Sequence, residues 1–241
     1  VFLEIGRNVY DFLRFADLSG PERERLVELR GEEVLETVRH RGRGAVLVTG
    51  HLGCWELLAA MLASRGYPLL ALARPLREQR LEAALRAHRE RMGIRTLSSE
   101  ALPLAALRHL RRGGFLGVLA DQRVKQGGHT VTFLGQETRM AEGPVRLAQA
   151  AGAPLVPLGI HRGPDQRHRI HVLPPIDPEG DARERTQDVA DALGRLIRET
   201  PEQWVWIHPR WEATPSAVAE DEPRAARRVL PGKGGPACAA R

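Results

Sequence analysis

The chain has 241 residues, 42% hydrophobic and 27% charged, a balance that supports one α/β-sized core and excludes wholesale disorder. No uncharged apolar run approaches the roughly 18–20 residues that span a bilayer. Basic side chains number 36 against 30 acidic, a net charge of +6 that favours anionic partners such as a phospholipid surface or an acidic carrier protein.

That excess is not a basic tail: residues 212–241 hold 5 basic and 4 acidic side chains, leaving 31 against 26 elsewhere. No aromatic–basic motif accompanies it, so nucleic acid is not an expected partner. Cys54 and Cys238 offer neither metal spacing nor a disulfide framework, which fits a reducing compartment.

In chain order, Val1–Phe15 has apolar positions at helical spacing, and Ser19-Gly20-Pro21 breaks the run before a charge-rich helix expected over 21–39. Ala45–Thr49 is a short apolar run between glycines, as a buried parallel strand should be. Past the turn at Gly50–Gly53, Leu57, Leu58, Met61 and Leu62 recur at helical spacing until Gly66. A strand over 67–73, helices over about 77–92 and 101–112 and a strand over 115–120 follow. The pattern predicts a long Gly-containing loop over 121–142, a helix over 143–151, strands over 153–161 and 169–173, and a helix over 181–199. Strands alternating with helices predict an α/β fold, with a mainly parallel central sheet and flanking helices. The domain reading is an N-terminal helical segment over 1–40 packed on an α/β domain over 41–212. A tail over 213–241, rich in Ala, Pro, Gly and Arg without periodicity, is expected to be disordered.

The segment Gly50-His51-Leu52-Gly53-Cys54-Trp55-Glu56 places a histidine and a carboxylate at the carboxyl end of a strand, where sites collect in open α/β sheets. An imidazole beside a carboxylate is the minimal general-base pair. On one continuous helix the two side chains would diverge by about 140°; with His51 in the turn and Glu56 in the first helical turn they can converge.

His51 followed by Glu56 matches the His-x4-Asp/Glu motif of the glycerol-phosphate acyltransferase superfamily. The surrounding residues resemble the lipid A late acyltransferases, in which the pattern is His-x-x-Asn-Trp-Glu. Further matches follow in order: Ala73-Arg74-Pro75, Asp121-Gln122, Phe133-Leu134-Gly135, Glu142-Gly143-Pro144, Gly152-Ala153-Pro154-Leu155-Val156-Pro157 and Pro201–His208. The resemblance covers about residues 1–212 and implies a glycerol-phosphate acyltransferase-like fold. It also implies transfer of a fatty acyl chain from an acyl thioester, carried by acyl carrier protein or CoA, to a hydroxyl of a lipid A-type glycolipid. A related acceptor, such as a lysophospholipid or phosphoinositol mannoside, is the alternative. No other cofactor is implied. Family members usually begin with a transmembrane helix, so attachment to the cytoplasmic face of the inner membrane, through a segment ahead of Val1, is expected.

In this scheme His51 is the general base and Glu56 orients it. Arg74, whose guanidinium can fork onto phosphate, Asp121, Gln122 and the backbone N–H groups around Gly143 are the substrate-binding candidates. Asp121 could pair with Arg74, orient the acceptor or cap a loop, and Gly143-Pro144 could equally be a helix start. Cys54 stands where the family has Asn, and Met140 also departs from it. A thiolate partnered by His51 is the alternative to a small residue lining the turn. His161, His168 and His171 invite a metal reading, but without nearby cysteine or paired carboxylates they read as surface histidines. Trp204, Trp206 and Trp211 are expected in the core, and Arg108, Arg111 and Arg112 on a solvated helix end that could also dock an acidic carrier.

Overall fold

The computed structural model describes residues 2–98 and 103–211. The expected tail over 213–241 lies outside them, as does the expected start of the helix near Ala101. Among the described residues there are eight helices and nine strands, with one short 3-10 turn. The helices are α1 (Phe2–Phe15), α2 (Gly20–Leu26), α3 (Glu32–His40), α4 (Trp55–Ser64), α5 (Gln79–Arg91), α6 (Pro103–Arg111), α7 (Gly143–Ala151) and α8 (Ala182–Glu199). The strands are β1 (Val27–Arg30), β2 (Ala45–Thr49), β3 (Leu69–Ala73), β4 (Arg95–Ser98), β5 (Phe115–Leu119), β6 (His129–Phe133), β7 (Gln136–Met140), β8 (Leu155–Arg162) and β9 (His168–Val172).

Seven strands form the main sheet in the order β1-β9-β8-β2-β5-β3-β4. The run from β8 to β4 is parallel, whereas β9 pairs antiparallel with β8 and carries β1 parallel to itself at the edge. The sheet divides the core. Ala45 and Leu47 of β2 pack with Phe12, Leu57, Met61 and Phe115 on one face. Val46 and Val48 pack with Ala148, Val189, Leu193 and Trp204 on the other. All five β2 residues are therefore buried, which is why this strand reads as a continuous apolar run without alternation.

The structure differs from the expected elements in three places. The helix expected over 21–39 is cut into α2, β1 and α3: Val27–Arg30 pair with β9, and Gly31, at φ 82°, turns the chain into α3 where a Cβ would lie 2.6 Å from the Val172 carbonyl oxygen. The charged composition of 27–30 concealed an edge strand, so the first 40 residues are not wholly helical. Strand β4 was not expected. The loop expected over 121–142 contains an antiparallel hairpin, β6–β7, turning at Leu134-Gly135 with positive φ at both. It packs Val131 and Phe133 into the second core.

Helix α1 buries Phe12 and Phe15 in the core but is apolar on its exposed side as well. Asp11 faces inward, accepting from Arg162 NH1 at 2.7 Å and lying 3.0 Å from His168 Nε2, while Phe2, Leu3, Val9, Tyr10 and Leu13 are exposed. Burial alone would raise the Asp11 carboxyl; the hydrogen bonds from His168 and Arg162 bring it down to about 2. His168 is thus a buried histidine, not a surface one, and of the tryptophans expected in the core Trp204 is fully buried while Trp206 is exposed.

Candidate active site

Strands β2 and β5 are neighbours in register, Thr49 opposite Leu119. His51 lies two residues past the end of β2 and Asp121 two past the end of β5, so one sheet edge brings together groups 70 positions apart. His51 Nδ1 lies 2.7 Å from Asp121 Oδ1, and the His51 backbone N–H donates to Oδ2 at 3.0 Å. Gly50 permits this approach, since a Cβ on it would lie 3.2 Å from Asp121 Cγ. Gly53, at φ 55°, turns the chain into α4 where a Cβ would strike the Ile160 carbonyl.

Asp121 is fully buried, its side chain 0% exposed. Trp204 Nε1 donates to Oδ2 at 2.8 Å and Arg210 NH2 at 2.9 Å, while Arg210 Nε holds the Asp121 carbonyl at 2.9 Å. Burial pushes the carboxyl up, but the His51 hydrogen bond, the charges of His51 and Arg210 and the Trp204 N–H outweigh it and hold the group well below the usual carboxylate range. An ionised carboxylate only accepts, so in the neutral imidazole Nδ1 of His51 carries the proton and Nε2 the lone pair. The Trp55 ring stands edge-on to the imidazole, centroids 5.1 Å apart.

The imidazole is 18% exposed and opens onto a cavity of about 480 Å³, a size usual for small-molecule sites. Its apolar wall includes Leu47, Leu58, Ala59, Ala71, Gly117 and Leu158; its polar groups include Glu56, Arg74, Arg89 and Gln122. Gln122 Nε2 lies 3.4 Å from His51 Nε2. Arg89 grips Glu56 through two bonds, Nε to Oε2 at 3.0 Å and NH2 to Oε1 at 2.5 Å. Arg74 is exposed at the rim. A larger cavity of about 760 Å³ around Arg41, Arg43 and Asp177 is lined by no histidine, cysteine or serine.

Three of the expected roles therefore change on geometry alone. The carboxylate hydrogen-bonded to His51 belongs to Asp121, and Glu56 faces Arg89 instead. Asp121 has no face left for a substrate, contrary to its expected contact with the acceptor. Gly143 opens α7 outside the His51 cavity, beside the Glu142 carboxylate that holds Arg146 Nε at 3.0 Å, so this helix end is a poor anion site. His51, Glu56, Arg74 and Gln122 do share the cavity. Cys54 is buried beneath α1, its thiol donating to the Asn8 carbonyl at 3.4 Å, and burial pushes it up to about 12; it is no thiolate. Arg89 and Arg210 were missed. Arg89 belongs to a charge-rich helix with nothing to distinguish it, and Arg210 follows the last regular element; neither carried a local signal.

The sequence profile of the bacterial lipid A biosynthesis acyltransferases matches residues 2–213. The chain belongs to this family. Among curated relatives, a phosphatidylinositol mannoside acyltransferase of Mycolicibacterium smegmatis is 31% identical over 71% of this chain and 58% of its own length. A protein of the same name from Mycobacterium tuberculosis is 30% identical over 76% of this chain and 59% of its own. The lipid A biosynthesis lauroyltransferase of Escherichia coli is 25% identical over 80% and 64%. The chain thus spans about three-fifths of the length of the curated relatives it matches. Family membership agrees with the resemblance drawn from the His51–Glu56 motif and with the mostly parallel α/β sheet.

Proposed function

We propose that the protein transfers a fatty acyl chain from an acyl thioester to a hydroxyl of an anionic membrane glycolipid, with His51 as general base. The observation that carries this is the His51–Asp121 pair: a buried ionised carboxylate fixes the ring so that Nε2 presents its lone pair to a largely apolar cavity. Nε2 takes the acceptor's hydroxyl proton as the oxygen bonds to the thioester carbonyl carbon. The C–S bond then breaks and the departing thiolate recovers the proton from the imidazolium. Asp121 is a positioning residue, acting through His51 and stabilising its protonated form. Glu56 and Arg89 stand as a pair on the cavity wall, and Arg74 at the rim is suited to a phosphate of the acceptor or donor.

The relatives named for phosphatidylinositol mannoside are more similar, at 31% and 30% identity, than the one named lauroyltransferase, at 25%, which favours a mannosylated phosphoinositide over a lipid A-type acceptor. A lipid surface is the expected setting. No described helix is long and apolar enough to cross a membrane, but α1 exposes Phe2, Leu3, Tyr10 and Leu13 together with Arg7 and Arg14, as a helix lying on an anionic membrane would. The donor is a thioester of acyl carrier protein or CoA, both cytosolic carriers, so the cytoplasmic membrane face is proposed.

The test is mass spectrometry of products after mixing the protein with each thioester and each acceptor. One added acyl chain, lost in His51→Ala, is expected. Transfer undiminished in that variant would overturn the mechanism, and inertness toward both acceptors would overturn the acceptor class.

A further inference from the structure

Across the sheet from its parallel half, β8 and β9 run antiparallel with Gly159 opposite His171 and His161 opposite Arg169. His161 and His171 therefore sit diagonally on one face, ring centroids 4.9 Å apart. That face packs on α8, since Leu196 Cδ1 lies 3.2 Å from where a Gly159 Cβ would stand. The last residue of α8 is Glu199, and one ligand atom from each of His161, His171 and Glu199 falls within 4.8 Å of the others. The local carboxylate, Asp165, is taken by Arg169, and the third donor comes instead from a helix end 28 residues beyond His171.

We propose that His161, His171 and Glu199 bind a divalent transition-metal ion of the zinc class, which staples the end of α8 to the β8–β9 pair. Two imidazoles and a carboxylate are a donor set that zinc takes, with room for water in a fourth position. Ligand atoms on a tetrahedral zinc stand about 3.3 Å apart; here no pair is more than 4.8 Å apart, and Glu199, exposed at a helix end, is free to swing toward the imidazoles. Two independent features favour a cation there. Nε2 of His171 is shielded from solvent with no hydrogen-bond partner among the described residues, a cost that a bound ion or its water would relieve. Glu199 also places its negative charge at the carbonyl end of α8, where the helix dipole favours a cation. The nearby guanidiniums are already matched: Arg169 pairs with Asp165 at 2.6 Å and Glu28 at 3.3 Å, and Arg30 with Glu28 at 2.8 Å.

The consequence is structural. Glu199 leads directly into Pro201–Gln203, whose last residue accepts the Gly53 backbone N–H at 3.0 Å, and then into Trp204, which donates to Asp121. A metal at the end of α8 would stiffen the segment that backs the His51 turn.

The full chain, stripped of metal by a chelator and dialysed, is titrated with Zn²⁺ by calorimetry and melted with and without Zn²⁺, beside Glu199→Gln and His171→Asn. One equivalent bound in the micromolar range is expected, with a rise in Tm of about 5 °C that both variants lose. Without metal, Glu199→Gln should melt with the parent, which separates lost ligation from lost folding. Absence of saturable binding, or binding that persists undiminished in either variant, would overturn the site.

Discussion

Replacing Asp121 by Asn tests whether this buried carboxylate sets the tautomer of His51. The amide has one acceptor and one donor end where the carboxylate has two acceptors. Three donors converge on Oδ2: the His51 backbone N–H at 3.0 Å, Trp204 Nε1 at 2.8 Å and Arg210 NH2 at 2.9 Å. They recruit the amide oxygen, which turns the NH2 toward His51 Nδ1. That nitrogen must then accept, the ring proton moves to Nε2, and the lone pair facing the cavity is lost. A wrong-tautomer histidine in a comparable triad costs about 10⁴-fold in kcat, and a similar loss is expected here in the thioester-dependent transfer assay. Stability should suffer less. Arg210 keeps backbone acceptors in Asp121, Val205 and His208, so the cost is about 1.5–3 kcal/mol for weakened charged hydrogen bonds, or about 5–10 °C in Tm. A folded Asp121→Asn protein within about ten-fold of parental kcat would refute the tautomer argument, because no other described carboxylate bonds His51.

Cys54→Ala should retain transfer within about three-fold, and the native thiol should resist alkylation at neutral pH, since burial has pushed it up to about 12; loss of activity with the thiol would restore a nucleophilic role. The α1 anchor should be acid-sensitive. Asp11 titrates at about 2 when folded, below its ordinary 3.8, so its contribution of about 2 kcal/mol is complete above the ordinary value and disappears as pH falls through about 2. His168, pushed below its ordinary 6.5 by burial, adds a loss of the same sign starting nearer neutrality. Thermal melts from pH 7 downward should show the decline, with the lowest-pH component missing in Asp11→Asn. Gly117 lines the cavity opposite Ala71 in register, and Gly117→Leu should shorten the space beside His51, lowering kcat/KM for long acyl thioesters more than for short ones; an unchanged ratio would place the acyl chain elsewhere. Arg74→Ala should raise the KM for a phosphorylated substrate more than it lowers kcat, and steady-state kinetics with varied acceptor and donor decides which substrate the cation reads.

The sheet was legible because burial on both faces writes itself into composition. Ala45–Thr49 and Phe115–Leu119 carry the apolar runs that only central parallel strands need, and the glycines around them mark the turns. The pattern thinned where burial is one-sided or absent: Val27–Arg30 is an edge strand with charged neighbours, Arg95–Ser98 lies at the other edge, and the β6–β7 hairpin sits inside a segment whose glycines read as loop.

For the site, local sequence placed His51, Glu56 and Arg74 together because they belong to one strand–turn–helix unit and the next strand end. It could not rank the carboxylates. Periodicity and spacing report what lies within a few residues along the chain, and by that measure Glu56 is the natural partner of His51. Strand order decided otherwise: β2 and β5 are adjacent, so Asp121 arrives beside His51 from 70 positions away. Trp204 and Arg210 likewise reach Asp121 from 83 and 89 positions away. Such pairings are set by which strands hydrogen-bond and how helices pack on them, and that information belongs to the folded chain as a whole.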